Sequence, residues 1–285
     1  MASILLISPD GMLGRAFVEI FETKKVAFDG ATYPAFDITS DSSVAEHVRE
    51  EHRLVINCSA YTDVDGAETH EAACRAVNGT GVGRLAARCR SVGATLVHFS
   101  TDYVFDGAAA SPYRTDHPYG ALGVYGKTKA EGEQAIRASG VDHLIVRTSW
   151  LYAPWAKNFV LTMADLCRSR DSLRVVDDQR GRPTSAQHLA ATTLALVERG
   201  ARDIAHVTDG GECSWFELAR HVVSRVRPEC RVDPCTTAEF PRPAKRPAYS
   251  VLDLSETEGR LGPMPPWQDQ VDAVLERAGI VPRTP

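Results

Sequence analysis

Ile4-Leu5-Leu6-Ile7-Ser8-Pro9-Asp10-Gly11-Met12-Leu13-Gly14 (residues 4–14) is a short apolar run that breaks into a turn where small residues recur at every third position. The run predicts a buried strand, and the pattern from about Met12 onward predicts a helix. Ser8, Gly11 and Gly14 then occupy the spacing of a G-x-x-G-x-x-G dinucleotide turn whose first glycine is replaced. Glycine allows positive φ and close backbone approach, so pyrophosphate oxygens can rest on the first amides of such a helix. The same letters also suit any strand-to-helix turn. Their place at the first βα junction favours the nucleotide reading.

Working outward, further strand-like runs at Leu54 to Asn57, Ala94 to Ser100 and Leu144 to Thr148 alternate with longer helical patterns. This βαβα order predicts an α/β fold, a Rossmann-like doubly wound parallel sheet, with ligands beyond the carboxyl ends of its strands. After about Thr148 the alternation loosens and Pro and Gly become frequent. The expected division is a dinucleotide-binding domain over 1–148 and a smaller C-terminal substrate-binding lobe, mainly 149–285, with 186–206 returning to the sheet.

The chain has 285 residues, a formal charge of −5 and an ordinary share of apolar residues, as befits a folded globular protein with a sizeable core. The negative balance argues against a nucleic-acid partner. Seven scattered cysteines without a C-x-x-C pair read as reduced thiols. No signal sequence and no run of 18 apolar residues is recognisable, so a cytoplasmic protein with no membrane partner is expected. No local carboxylate cluster suggests a metal, and none is expected.

Nucleotide contacts are sought after each strand. The ribose reader at the second strand is Asp29 or the Thr32-Tyr33 pair, depending on where that strand ends. No arginine lies between Arg15 and Arg49, which favours NADH over NADPH. Asp37-Ile38 and Asn57-Cys58-Ser59-Ala60-Tyr61 are placed to flank adenine and ribose, although such residues are also common in turns.

The chemistry concentrates in Ser100-Thr101-Asp102-Tyr103 and in Tyr125-Gly126-Lys127-Thr128-Lys129. Tyr125 and Lys129 stand four apart and share one helix face. Hydride addition to a ketone leaves an alkoxide that needs a proton and a hydrogen bond. Tyr125 supplies the proton in this reading, and the Lys129 cation lowers the phenol's pKa and holds ribose hydroxyls. Thr101 donates to the ketone oxygen.

The combined motifs are more specific than any one of them: STDYVFDG (100–107), VYGKTKAEGE (124–133), RTSWLY (147–152), DQRGRPT (178–184), RPAYSVLD (246–253), NCSAYTDVDGAE (57–68) and AVN (76–78). Over nearly its whole length the chain resembles the dTDP-4-dehydrorhamnose reductase family of extended short-chain dehydrogenases. The resemblance implies reduction of dTDP-4-dehydro-L-rhamnose to dTDP-L-rhamnose by NADH or NADPH, with a nucleotide-sugar substrate and a monomer or homodimer. It makes Thr101, Tyr125 and Lys129 the catalytic trio. Cofactor contacts by position are Gly11, Met12, Leu13, Gly14, Asp37, Ile38, Ser59, Ala60 and Tyr61, with Tyr125 and Lys129. Thr101, Asp102 and Trp150 are the implied substrate contacts, and Arg182 and Arg246 offer guanidinium forks to a diphosphate.

Two positions depart from the family pattern: Ser8 replaces a glycine, and Gly123 replaces an asparagine before the catalytic helix. They make a related keto-sugar nucleotide an alternative substrate. A non-catalytic NAD(P)-binding regulatory subunit on the same fold is a second alternative, and an epimerase or dehydratase a third.

Overall fold

A computed structural model describes residues 3–282. The strands are β1 (Ser3–Ile7), β2 (Asp29–Ala31), β3 (His52–Asn57), β4 (Thr95–Thr101), β5 (His143–Thr148), β6 (Ser172–Val176), β7 (Asp203–His206) and β8 (Arg231–Cys235), with shorter pairs between them. Six of these form one parallel sheet in the order β7-β5-β4-β3-β1-β2. The order in which strands are added reverses between β1 and β3, and a crevice opens beyond the carboxyl ends at such a switch point.

Successive side chains of a strand face opposite sides, so a strand covered on both faces reads as continuous apolar sequence. Ile4 and Leu6 accordingly join one core, with Phe17 and Phe21 of the Met12–Lys24 helix and Leu189 and Leu194 of the Ala186–Glu198 helix. Leu5 and Ile7 join the core on the other face, with Leu85, Cys89 and Ile136. The Ala186–Glu198 helix thus packs against the sheet unit, and β7 extends the sheet beside β5.

The remaining C-terminal chain builds a smaller unit on the β6–β8 parallel pair and the helices Phe159–Ser169, Trp215–Val226 and Trp267–Arg277. Its core includes Val160, Leu218, Trp267 and Leu275. Trp155 fastens this unit to the first turn, its indole N–H donating to the Met12 carbonyl at 3.1 Å. Residues 1–2 and 283–285, the outermost parts of the two expected units, lie outside the described residues.

Candidate active site

Each of the first five strands delivers its following residues to one cleft of about 750 Å³. From β1 come Ser8, Gly11, Met12 and Leu13; from β2, Thr32 and Tyr33; from β3, Cys58, Ser59 and Ala60; from β4, Thr101; from β5, Thr148 to Leu151. Tyr125 and Lys129 complete the wall. An adjoining hollow of about 380 Å³ shares Ser8, Tyr33, Ser59 and Ala60 and adds Asp37 and Ile38.

The Met12–Lys24 helix opens onto this cleft with Gly11 as its N-cap, no side-chain cap bond and no acid in its first turn. Its leading amides are left for an anion. Gly14 sits one turn in, where an added Cβ would lie 1.9 Å from the Ser8 carbonyl oxygen. Glycine there lets the helix lie hard against the turn. Ser8 itself has φ +59°, a left-handed conformation that costs a residue with a Cβ roughly 1–2 kcal/mol. The departure at position 8 therefore falls on the residue where glycine would be unstrained. These features fit a bound dinucleotide: a switch-point crevice, an open helix N-terminus and a turn too tight for a side chain at 14.

The end of β2 separates the two candidates for the ribose reader. Asp29 begins β2 and is bonded to Arg49 at 3.1 Å and His52 at 2.9 Å, away from the cleft. Thr32 and Tyr33 follow the strand into the cleft, and Thr32 Oγ1 donates to Asp10 Oδ1 at 2.5 Å.

At the other end of the cleft, Thr101 closes β4 and its Oγ1 accepts the Tyr103 N–H at 3.2 Å while donating to Asp102 Oδ1 at 2.9 Å. Asp102 is buried behind the cleft wall, and its Oδ2 has no hydrogen-bond partner among the described residues. Burial pushes its carboxyl up to about 7, with the Ser250 and Thr101 hydroxyls opposing only in part.

Tyr125 and Lys129 ride on the Val124–Ser139 helix. Gly123 is its N-cap without a side-chain bond, and Glu68 Oε1 accepts the Val124 N–H at 2.8 Å. A Cβ at 123 would come within 2.6 Å of that oxygen. A carboxylate from another segment thus does the capping at this second departure. Below the reacting groups, Glu133 pairs with Arg147 at 2.7 Å, both fully buried, and accepts from Tyr119 at 2.9 Å and from Ser100. Arg147 NH1 also donates to the Thr115 carbonyl at 3.0 Å. Neither residue was singled out from the sequence for this role. RTSWLY contains Arg147, but its partner lies on another element.

Electrostatically the site departs from expectation. Burial pushes the Tyr125 phenol up, Asp102 adds to the rise and the Thr101 hydroxyl opposes it. Lys129 is not the dominant influence on that phenol. Burial instead lowers the lysine itself to about 8, with Glu133 and Cys74 opposing.

Other expected residues divide. Trp150 lines the cleft at φ +48° and stacks on Trp215 with centroids 3.6 Å apart. Arg182 does not itself line the cleft; its carbonyl accepts from Ser149 Oγ at 2.6 Å, and its buried Nε has no partner among the described residues. Arg246 is engaged by Asp65 at 2.9 Å and by the Ala244 carbonyl at 2.8 Å and does not line the cleft. Tyr61 also stays out of the wall, its backbone N–H and C=O held by Asn78 at 2.9 and 3.0 Å. Lys157, unremarked in the sequence, adds a cation to the rim.

The family model described as RmlD substrate binding domain matches residues 1–280. The chain is 40% identical over 289 residues to a dTDP-4-dehydrorhamnose reductase of Streptomyces griseus, spanning 96% of this chain and 95% of that protein. It is 39% identical over 270 residues to a Streptomyces antibioticus protein named probable dTDP-4,6-dihydroxy-2-methyloxan-3-one 4-ketoreductase, with 93% and 91% covered. The solved dTDP-4-dehydrorhamnose reductase of Bacillus anthracis, in complex with NADP, superposes with a TM-score of 0.92 at 33% identity, covering 97% of this chain and 99% of that one. Matched along its length in sequence and in fold, the chain belongs to the RmlD family of dTDP-4-dehydrorhamnose reductases.

Proposed function

We propose that this chain reduces the 4-keto group of a nucleotide-linked deoxysugar, converting dTDP-4-dehydro-L-rhamnose to dTDP-L-rhamnose with NADH or NADPH, and that Tyr125 is the proton donor. The observation that carries the reading is one continuous cleft running from the open N-terminus of the Met12–Lys24 helix to Thr101, Tyr125 and Lys129. A dinucleotide bound there supplies the hydride.

The chain's own residues do the rest. Gly11, Met12 and Leu13 present amides to the pyrophosphate, and Ser59 and Ala60 flank the adenosine half, with Asp37 and Ile38 in the adjoining hollow. Lys129 donates to the nicotinamide ribose hydroxyls. The Thr101 hydroxyl orients the ketone oxygen, and Tyr125 protonates that oxygen as negative charge gathers on it. A phenol raised by burial keeps its proton until that charge develops. On the substrate side, Trp150 offers a ring face, and Arg182 brings an unpartnered guanidinium N–H suited to a diphosphate.

The name of the Streptomyces antibioticus relative supports a second reading, a related dTDP-linked keto-sugar as substrate. The test is to mix the protein with each reduced nicotinamide dinucleotide and dTDP-4-dehydro-L-rhamnose, follow nicotinamide absorbance and identify the sugar. Tyr125→Phe is expected to lose roughly 10²- to 10⁴-fold in kcat while dinucleotide binding persists. Full turnover by that variant ends the proton-donor role. Saturable dinucleotide binding by the unaltered protein, with no reduction of any keto-sugar nucleotide, replaces the enzyme with a regulatory subunit.

A further inference from the structure

Behind the catalytic lysine runs a buried chain of side chains that the proposed reaction does not use. Parallel pairing of β3 with β4 sets Asn57 beside His98 in register. Asn57 Oδ1 accepts the Ser59 backbone N–H at 3.1 Å and the Ser59 hydroxyl at 2.6 Å. The backbone N–H can only donate, so the carboxamide oxygen must face it, and Asn57 Nδ2 therefore points at His98 Nδ1, 3.0 Å away. Burial holds His98 well below its ordinary value, with the neighbouring Lys129 charge acting in the same direction, so the ring is neutral. A neutral imidazole that accepts at Nδ1 carries its hydrogen on Nε2. That N–H is aimed at Lys129 Nζ, 3.2 Å away, while Nζ donates to the Phe99 carbonyl at 2.6 Å.

An ammonium has three donors and no acceptor, so it would meet His98 donor to donor. A neutral amine has a lone pair to receive the Nε2 hydrogen. All three side chains are no more than 2% exposed, and solvent does not relieve the mismatch. The other groups around Lys129 are Glu133, paired with Arg147, and the Cys74 thiol, bonded to Thr128 at 3.2 Å, both of which favour the ammonium and only partly offset burial, and Tyr125 on the same helix. Burial acts on the lysine in the same direction as the histidine.

We propose that His98, held in its Nε2–H tautomer by Asn57, is a positioning residue that disfavours the ammonium form of Lys129, so that dinucleotide binding draws in a proton wherever the free lysine is not fully protonated. The second half rests on the reading above, that Lys129 donates to two ribose hydroxyls. With the Phe99 carbonyl these use three hydrogens, which only the ammonium has. Ser59, which lines the cleft, anchors the other end of the chain. By linkage, dinucleotide affinity falls as pH rises through the proton dissociation of free Lys129, by about tenfold per pH unit.

The test titrates the lysine side chains of the ligand-free protein by NMR, with Lys129 assigned by its loss in Lys129→Met, and measures NADPH affinity against pH by fluorescence. Lys129 is expected to lose its proton at lower pH than the remaining lysines. Asn57→Leu releases the tautomer without adding charge and is expected to raise the proton affinity of Lys129 about tenfold. Asn57→Asp, which forces hydrogen onto Nδ1, is expected to raise it further. Titration of Lys129 together with the other lysines overturns the inference. So does an effect confined to Asn57→Asp, which reports charge and not tautomer. If either variant fails to fold, the ¹⁵N spectrum of His98 in the unaltered protein decides, and a hydrogen on Nδ1 overturns the assignment. NADPH affinity that is normal but independent of pH refutes the linked proton and leaves the reductase reading standing. Absence of NADPH binding refutes that reading, while the lysine titration still judges His98.

Discussion

Two helices contribute residues to the same cleft, both begin after a glycine, and they are finished differently. At Met12–Lys24 neither a side-chain cap nor a first-turn acid meets the leading amides. At Val124–Ser139 the Glu68 carboxylate occupies the equivalent place. A glycine N-cap removes the local acceptor, and the next anion to arrive decides what the terminus is for. Where that anion is a ligand, the terminus is a binding site. Where it belongs to the protein, the terminus is a fixed mount, here for Tyr125 and Lys129.

The largest expected effect sharpens the idea of a fixed mount. Arg147→Met leaves the Glu133 carboxyl buried without its cation, and is expected to cost about 3–5 kcal/mol in urea unfolding. Adding Glu133→Leu should return most of that stability. An Arg147→Met protein as stable as the parent would mean that the pair does not anchor the helix. Next comes the open terminus. Ser8→Gly relieves the left-handed strain but gives the unfolded chain more freedom, leaving a net gain of about 0.5–1 kcal/mol, with dinucleotide affinity held or improved. Loss of stability in that variant would show that the serine side chain contributes something the turn needs.

The smallest effect would break the contrast directly. Glu68→Ala opens the second helix N-terminus and is expected to cost about 0.5–1 kcal/mol. Its kcat should fall a few-fold with the dinucleotide KM unchanged, because the lost contact holds Tyr125 and not the nucleotide. An equal rise in the dinucleotide KM would mean that the two termini are not separate devices.

Much of this was legible before any coordinates. Ile4 to Ile7 followed by Ser8, Gly11 and Gly14 carries its own strand, turn and helix, because apolar run length and glycine spacing are local properties. Tyr125 and Lys129 likewise share a helix face by spacing alone. Asp29 shows where this stops: two or three residues of uncertainty at the end of β2 separate a cleft-lining position from a partner of Arg49 at the opposite end of the strand. Arg246 was read as offering its guanidinium to a diphosphate and is held by Asp65, 181 residues away in the chain.

From the sequence alone came the alternation of strands and helices, the residues at the strand ends and the kind of chemistry they can perform. These depend on near neighbours and on side-chain identity. Only tertiary structure decided that Glu68 caps the Val124–Ser139 helix, that Asn57 and Lys129 meet His98 from two sides, and that burial raises Tyr125 while lowering Lys129. Desolvation and hydrogen bonds between distant residues arise from packing, and packing exists only once the strands have found their register.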